Sequence, residues 1–389
     1  MDKSNIYKDV DWPFMLAKYP LSLDMEGKPE QSFDIKKYYS ILSKDVPYFI
    51  NEYASVPSMQ RLKGVGLLCG TDWTKLYKNR FVYSRYDHSI AVALIIWNFT
   101  RDKIQTLAGL FHDIATAAFS HVQEFRKGDA LTQSESERGT EEIIRNDKVL
   151  CAMLEKDGIS IESVRDYHQY PIADNDLPCL SADRLEYMFP SGASLLGSWN
   201  LEDVQKVYSD IVVLKNEMGI DELGFMHKEI AEFYCEKFCE IGHVLQLNEN
   251  KLTMQMLAEI VRSAIELGII TEMDCMNLDE EQLLCKFRVF CTKGEMFGYY
   301  DKNAEKFGKL FNTFTEMESI LHTDKRPFED DKGFCVSIDV KQRYINPLVA
   351  ASGTECKNRR LSDVSEKGAN IIRDFLDYED TKWGGVAFR

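Results

Sequence analysis

Ile104, Leu107, Ala108 and Phe111 recur at i, i+3, i+4 and i+7, which is the spacing of one helical face. The next position on that apolar stripe is His112, and Asp113 follows at once within GLFHDIATAAFSHV, residues 109–122. An ionisable pair on an inward face constrains the fold strongly. A buried charge is costly unless a hydrogen-bond partner, a counter-charge or a metal meets it. Two more segments repeat the pattern. His88, Val92, Ile95 and Phe99 share helical spacing, and Leu180, Asp183 and Tyr187 share another face. Three separate helices are thus predicted to aim ionisable groups inward. His and Asp are ligands suited to Mn, Fe, Zn, Mg or Ni. Four of them would hold one divalent ion and leave positions for water and a phosphate oxygen. The plainer alternative is that His112 and Asp113 only hydrogen-bond to neighbouring helices.

Helical spacing dominates the remainder. Ser134-Glu-Ser-Glu137 has the form of a capping box opening a helix that runs on through Ile143, Ile144 and Leu150. Further helices are predicted over 201–214, 226–243, 252–267 and 279–290, with another near 370–376. Val336, Ile338 and Val340 alternate with Ser337 and Asp339, which predicts a strand over 335–340. The Gly- and Ser-containing loop 191–199 is the natural boundary. The expected fold is mainly α: an N-terminal extension (1–50), a helical-bundle core (51–195), a helical continuation (196–330) and a small mixed α/β C-terminal region (331–389).

The balance of 44% hydrophobic and 28% charged residues is that of a soluble globular chain, and no run of about 18 apolar residues predicts a membrane span. The first residues lack the apolar core of a signal peptide. The 10 cysteines show no paired spacing and read as reduced thiols, so a cytoplasmic location is expected. With 47 Lys and Arg against 63 Asp and Glu, the net charge of -16 opposes nonspecific binding to nucleic acid or anionic lipid. A small anionic substrate then needs a metal or local basic groups. Cys235, Cys239 and His243 lie at i, i+4 and i+8; they offer a metal set or, with Phe238 and Ile241, an ordinary buried stripe. Lys357, Arg359 and Arg360 form a basic run that either meets a phosphate from a neighbouring subunit or faces solvent.

Several short motifs in register give the chain a family likeness. These are Arg61-Leu-Lys-Gly64, Ser84-Arg-Tyr-Asp-His88-Ser, Leu110-Phe-His112-Asp113, Phe119-Ser-His121 and Ala182-Asp183-Arg184. Over roughly 56–189 the chain resembles the HD-domain superfamily of metal-dependent phosphohydrolases, in particular its deoxynucleoside triphosphate triphosphohydrolase branch. The resemblance implies a nucleotide substrate, an HD helical-bundle core, and one divalent metal ion on His88, His112, Asp113 and Asp183. It also implies that Arg85 holds phosphate, a task its fixed fork of donors suits. A salt bridge from Arg85 to Asp87 or Glu186 is the structural alternative.

The sequence departs from that branch at three positions. Thr116 stands where a further His is usual, Ser136 aligns with a second, and Leu67 with a Gln that reads the sugar. Protonation of the leaving group would then fall to His121, Glu135, Glu137 or His168. His121 is also a candidate substrate contact or packing residue, Glu135 and Glu137 suit a helix's first turn, and His168 either reaches the pocket mouth or is a solvated loop residue. Three activities stay open: a triphosphohydrolase, a phosphodiesterase or 5′-nucleotidase with the same site, and a silent module that binds a nucleotide and regulates. Relatives often assemble, so a homo-oligomer is among the expectations.

Overall fold

The computed structural model describes residues 33–77, 79–128, 139–351 and 357–389, and these residues form a mainly helical fold with two small sheets. Asp34 accepts from the Lys37 amide and opens α1, Ile35–Leu42. Ser84 and Asp87 close a reciprocal capping box that starts α2, Arg85–Thr100. Residues 91–96 of α2 are fully buried, so this helix is apolar all round and forms the bundle's axis. Asp102 caps α3, Lys103–Phe111, by accepting from the Ile104 and Gln105 amides. The two helices touch at Gly109, where a Cβ would lie 2.2 Å from Ile96 Cδ1. The remaining principal helices are α4 (Val122–Arg126), α5 (Ala182–Ser191), α6 (Lys228–Gln246), α7 (Asn248–Glu266), α8 (Glu280–Phe297), α9 (Lys302–Glu316) and α10 (Glu366–Leu376).

The strands are β1 (Ile211–Lys215), β2 (Asp221–Phe225), β3 (Leu321–Thr323), β4 (Gly333–Val336), β5 (Leu348–Val349), β6 (Arg359–Arg360) and β7 (Trp383–Ala387). One sheet runs β1-β2-β5-β6, with β2 and β5 parallel and the outer pairs antiparallel; the other runs β3-β7-β4, all antiparallel.

Local expectations are corrected at three places. The helix expected over 201–214 ends at Tyr208, because Ile211, Val212 and Val213 pair with β2 as β1. Branched side chains favour that pleated setting. The helix expected to pass through Leu150 is broken at Asp147, whose carboxylate accepts from the Val149 and Leu150 amides and starts a new one, Lys148–Lys156. The capping box at 134–137 lies outside the described residues. The strand expected over 335–340 starts at Gly333 and stops at Val336.

Residues 192–196 extend α5 by a π-type turn, with Gly192, Ala193 and Ser194 buried. Arg360 fastens β6 to the β1–β2 hairpin through Glu217 and the buried Glu222, so the basic run serves the fold here.

Two apolar clusters make up the interior. One gathers side chains of α1, α2, α3, α5, α6 and α10; the other gathers α4, α7, α8, α9 and Val336 of β4. A cavity of about 180 Å³ lies where they meet: Ile241 comes from the first, Phe125, Met254 and Val340 from the second.

Candidate metal centre

His88 stands in the first turn of α2, His112 directly follows α3, and Asp183 is the second residue of α5. Three chain segments far apart in sequence therefore deliver the predicted inward groups to one wall of the cavity. His112 Nε2 lies 3.1 Å from His88 Nε2, which in turn lies 3.1 Å from Asp183 Oδ1. One ligand-type atom from each of these residues falls within 4.8 Å of the others.

The outer nitrogens explain this approach. His88 Nδ1 is 2.5 Å from Glu186 Oε2, and His112 Nδ1 is 2.6 Å from the Gly109 carbonyl. Both partners are acceptors, so each Nδ1 is assigned the proton, and in the neutral rings each Nε2 carries a lone pair. Two lone pairs and a carboxylate oxygen then converge on one point. Only positive charge relieves that arrangement, either a proton or a metal ion. The donor set thus suits a divalent cation, and the carboxylate behind His88 is the usual means of orienting a ligating imidazole. Glu186 is itself fixed, since Oε1 accepts from Tyr38 and Tyr83 hydroxyls at 2.8 and 2.7 Å. Burial opposes a charged His88, but Glu186 and Asp183 outweigh it and push the ring up to about 10. Burial likewise opposes an ionised Asp183, yet His88 and His112 hold it well below the usual carboxylate range.

Asp113 stands beside this trio. Its two oxygens face Arg85 Nη1 at 2.9 and 2.8 Å, Thr116 Oγ1 donates to Oδ1 at 2.9 Å, and Oδ2 is 3.5 Å from His112 Nε2. Burial works against its charge, while Arg85, then His112 and His88, keep it far below the normal range. Arg85 also donates from Nε to Ser120 Oγ at 3.0 Å, and Nη2 is 3.8 Å from Cys69 Sγ. The alternatives for Arg85 are therefore corrected: Asp87 closes the α2 cap and Glu186 supports His88, so Asp113 is the partner. Arg61 braces the same turn through the Ile114 and Thr116 carbonyls.

His121 lines the cavity, with Nδ1 3.7 Å from Glu124 Oε1, and burial holds it below the ordinary imidazole range. His168 is nearly half exposed and pairs with Asp166 and Asp174 at 2.9 and 3.3 Å. It is absent from the cavity lining; its neighbour Tyr167 is there instead, with its ring 4.9 Å from that of His112. Leu67 lines the cavity. Glu135, Ser136 and Glu137 lie outside the described residues. Sequence reasoning did not foresee Glu186, Tyr38 or Tyr83 as supports. The signal for Glu186 was present, because it follows Asp183 by three positions on one helical face.

A second group of comparable composition joins Glu249 of α7, His322 of β3 and Asp380. Here one ring bridges two carboxylates: Nδ1 is 3.0 Å from Asp380 and Nε2 is 2.9 Å from Glu249. Both nitrogens are occupied, which is the geometry of an imidazolium clamp. Cys235 and Cys239 are buried in the first apolar cluster, and His243 packs against the Phe375 and Tyr378 rings, 5.2 and 4.9 Å away, as an ordinary stripe would.

No protein-family model matches the sequence. The uncharacterized protein YdhJ of Bacillus subtilis (strain 168) is 25% identical over 329 residues, covering 82% of this chain and 88% of its own. The fold is similar to the crystal structure of a phosphohydrolase from Bacteroides thetaiotaomicron VPI-5482, with a TM-score of 0.60, 12% identity, and 88% of this chain and 96% of that one covered. It is also similar to a hypothetical protein from Aquifex aeolicus, with a TM-score of 0.54, 14% identity, and coverage of 88% and 93%. At these identities the structural likeness is one of fold. No helix among the described residues is long and apolar enough to cross a membrane.

Proposed function

We propose that the chain is an HD-type, metal-dependent phosphohydrolase acting on a nucleotide or related phosphate ester or anhydride. The observation that carries this reading is the meeting of His88 Nε2, His112 Nε2 and Asp183 Oδ1 on a cavity wall, with an arginine alongside. The shared fold with a phosphohydrolase supports it. His88, His112 and Asp183 would hold the ion, and Asp113, whose Oδ2 is 3.5 Å from His112 Nε2, would complete the set while staying paired with Arg85. A divalent ion held there would supply Lewis acidity and lower the pKa of a nearby water toward neutral.

The chain's own groups do the remainder. Glu186 keeps the His88 proton on Nδ1 and the ligating face open. Asp113 and Ser120 aim the Arg85 guanidinium; among the described residues Nη2 has only the long sulfur contact, which lets it meet a phosphate oxygen. Positive charge fixed there stabilises the charge that grows on the phosphoryl oxygens. His121, neutral near pH 7, serves the substrate as a hydrogen-bond partner rather than as a pre-charged acid.

Thr116 favours a phosphodiesterase or 5′-nucleotidase within this reading. Its hydroxyl is committed to Asp113, so the position where triphosphohydrolases carry a further His offers no proton to a leaving group. The test is product-resolved hydrolysis of a nucleotide panel with Mn, Mg, Fe, Zn or Ni, with Asp183→Ala as control. Phosphate or monophosphate release that vanishes in the variant supports the proposal, and triphosphate release restores the triphosphohydrolase. Tight nucleotide binding without turnover under every metal would overturn enzymatic function in favour of a regulatory module.

A further inference from the structure

Glu280 is the first residue of α8, a helix whose apolar side chains belong to the opposite cluster from the ligand-bearing helices, yet its carboxylate is buried close to Cys69 of the cavity wall. Oε1 accepts from the backbone amides of Gly66 and Phe119 at 3.0 and 3.2 Å, and Oε2 accepts from Trp73 Nε1 at 2.8 Å. Burial and the neighbouring Asp72 push Glu280 up to about 7. A costly group of this kind needs a reason to persist.

The two amides it holds lead to Arg85 by two routes, one to its backbone and one to its side chain. Residues 65–67 run beside 83–85: the Arg85 amide donates to the Val65 carbonyl at 2.8 Å, Leu67 donates to Tyr83 at 2.9 Å, and Gly66 bridges Ser84. Gly66 therefore positions the Arg85 backbone. Phe119 leads into Ser120, whose hydroxyl takes the Arg85 Nε hydrogen bond and donates to the Gly66 carbonyl at 3.4 Å. Phe119 and Ser120 both adopt left-handed backbone, at φ 64° and 47°. That conformation is uncommon for a bulky side chain and persists where the surroundings over-determine it. The Phe119 amide bond to Glu280 is one such determinant.

We propose that Glu280 is a positioning residue for Arg85: by pinning the Gly66 edge and the Phe119–Ser120 turn together, it sets the backbone and side-chain supports of the guanidinium. The proposal rests on the phosphohydrolase reading for its effect on turnover, but not for its effect on the turn. In Glu280→Gln the amide oxygen still receives Gly66 and Phe119, while its NH₂ faces the Trp73 indole N–H, donor against donor. Trp73→Phe removes that conflict, so the double variant should recover what Glu280→Gln loses.

Three readouts on the full chain decide the matter: Mn²⁺ affinity by calorimetry, hydrogen exchange over 117–123, and kcat with KM on whichever nucleotide the wild type hydrolyses. Glu280→Gln is expected to lower kcat about tenfold, as expected for loss of transition-state positioning. It should leave Mn²⁺ affinity unchanged and speed exchange over 117–123, and Trp73→Phe should reverse both the kcat and the exchange effects. Unchanged exchange, joint loss of metal affinity and kcat, or failure of Trp73→Phe to restore would overturn it. A wild type without turnover would sink the hydrolase reading alone, because exchange over 117–123 would still support or refute Glu280.

Discussion

Two triads of histidine and carboxylate occur among the described residues, and they differ in how their rings are partnered. At His88 and His112 every Nδ1 already has an acceptor, leaving the Nε2 atoms to face each other and Asp183. At His322 the two carboxylates take both nitrogens of a single ring, as Glu186 and Asp183 also do at His88; what the first triad adds is a second Nε2, from His112. The same residue types thus make a group that could hold a metal ion in one place and a clamp of two carboxylates on one ring in the other. Which outcome results depends on whether a second imidazole, its Nδ1 already on an acceptor, turns its Nε2 to the same point, more than on the number of ligand-type residues.

That contrast is best broken at the ligands. Asp183→Ala or His112→Ala should cut metal-stimulated turnover by about a thousandfold or more, since the ion's contribution to the barrier is lost. His322→Ala should leave turnover intact. A product-resolved assay in which both classes of variant fall equally would end the distinction. A smaller effect should appear in folding. Mn²⁺ at a hundred times its Kd should stabilise the wild type and His322→Ala by about 2.7 kcal/mol, seen as a rise in Tm. The chelated protein and Asp183→Ala should show no rise.

The outer carboxylate comes next. Glu186→Gln should weaken metal binding by about 10–100-fold, as measured by competition with a chromophoric chelator. The His322 clamp should give the smallest signal. Burial pulls this ring down, but Glu249 and Asp380 outweigh it and raise it above its ordinary 6.5. Its stabilisation is therefore complete below pH 6.5 and disappears as pH rises through the folded-state value. The ring is about one-third exposed, so solvent screening limits the effect to about 0.5–1 kcal/mol. Thermal unfolding of His322→Gln across pH 6–9 should lose that part of the slope (window set by ordinary imidazole titration); an unchanged slope would remove the clamp from the account.

Much of the site was legible because helical periodicity is a local property. Spacing alone turned His88, His112 and Asp183 inward, and all three line the same cavity. The failures have the same origin seen from the other side. Residues 211–214 read as a continuing helix until β2 claimed them, and pairing with a strand is a tertiary decision. Arg85 was expected to pair with Asp87, two residues on, or with the distant Glu186, but Asp113, 28 residues away, took it because α2 and α3 pack closely at Gly109.

The sequence by itself determined a mainly helical chain, the residues that turn inward from three of its helices, and the donor types they carry. Only the tertiary structure decided how these donors are completed. Glu186 backs His88 from 98 residues away, and Glu280 reaches Phe119 and Gly66 across 161 and 214 residues. The physical reason is that periodicity encodes which face is buried, whereas a buried polar group chooses its partner from whatever the packed helices bring within hydrogen-bond distance.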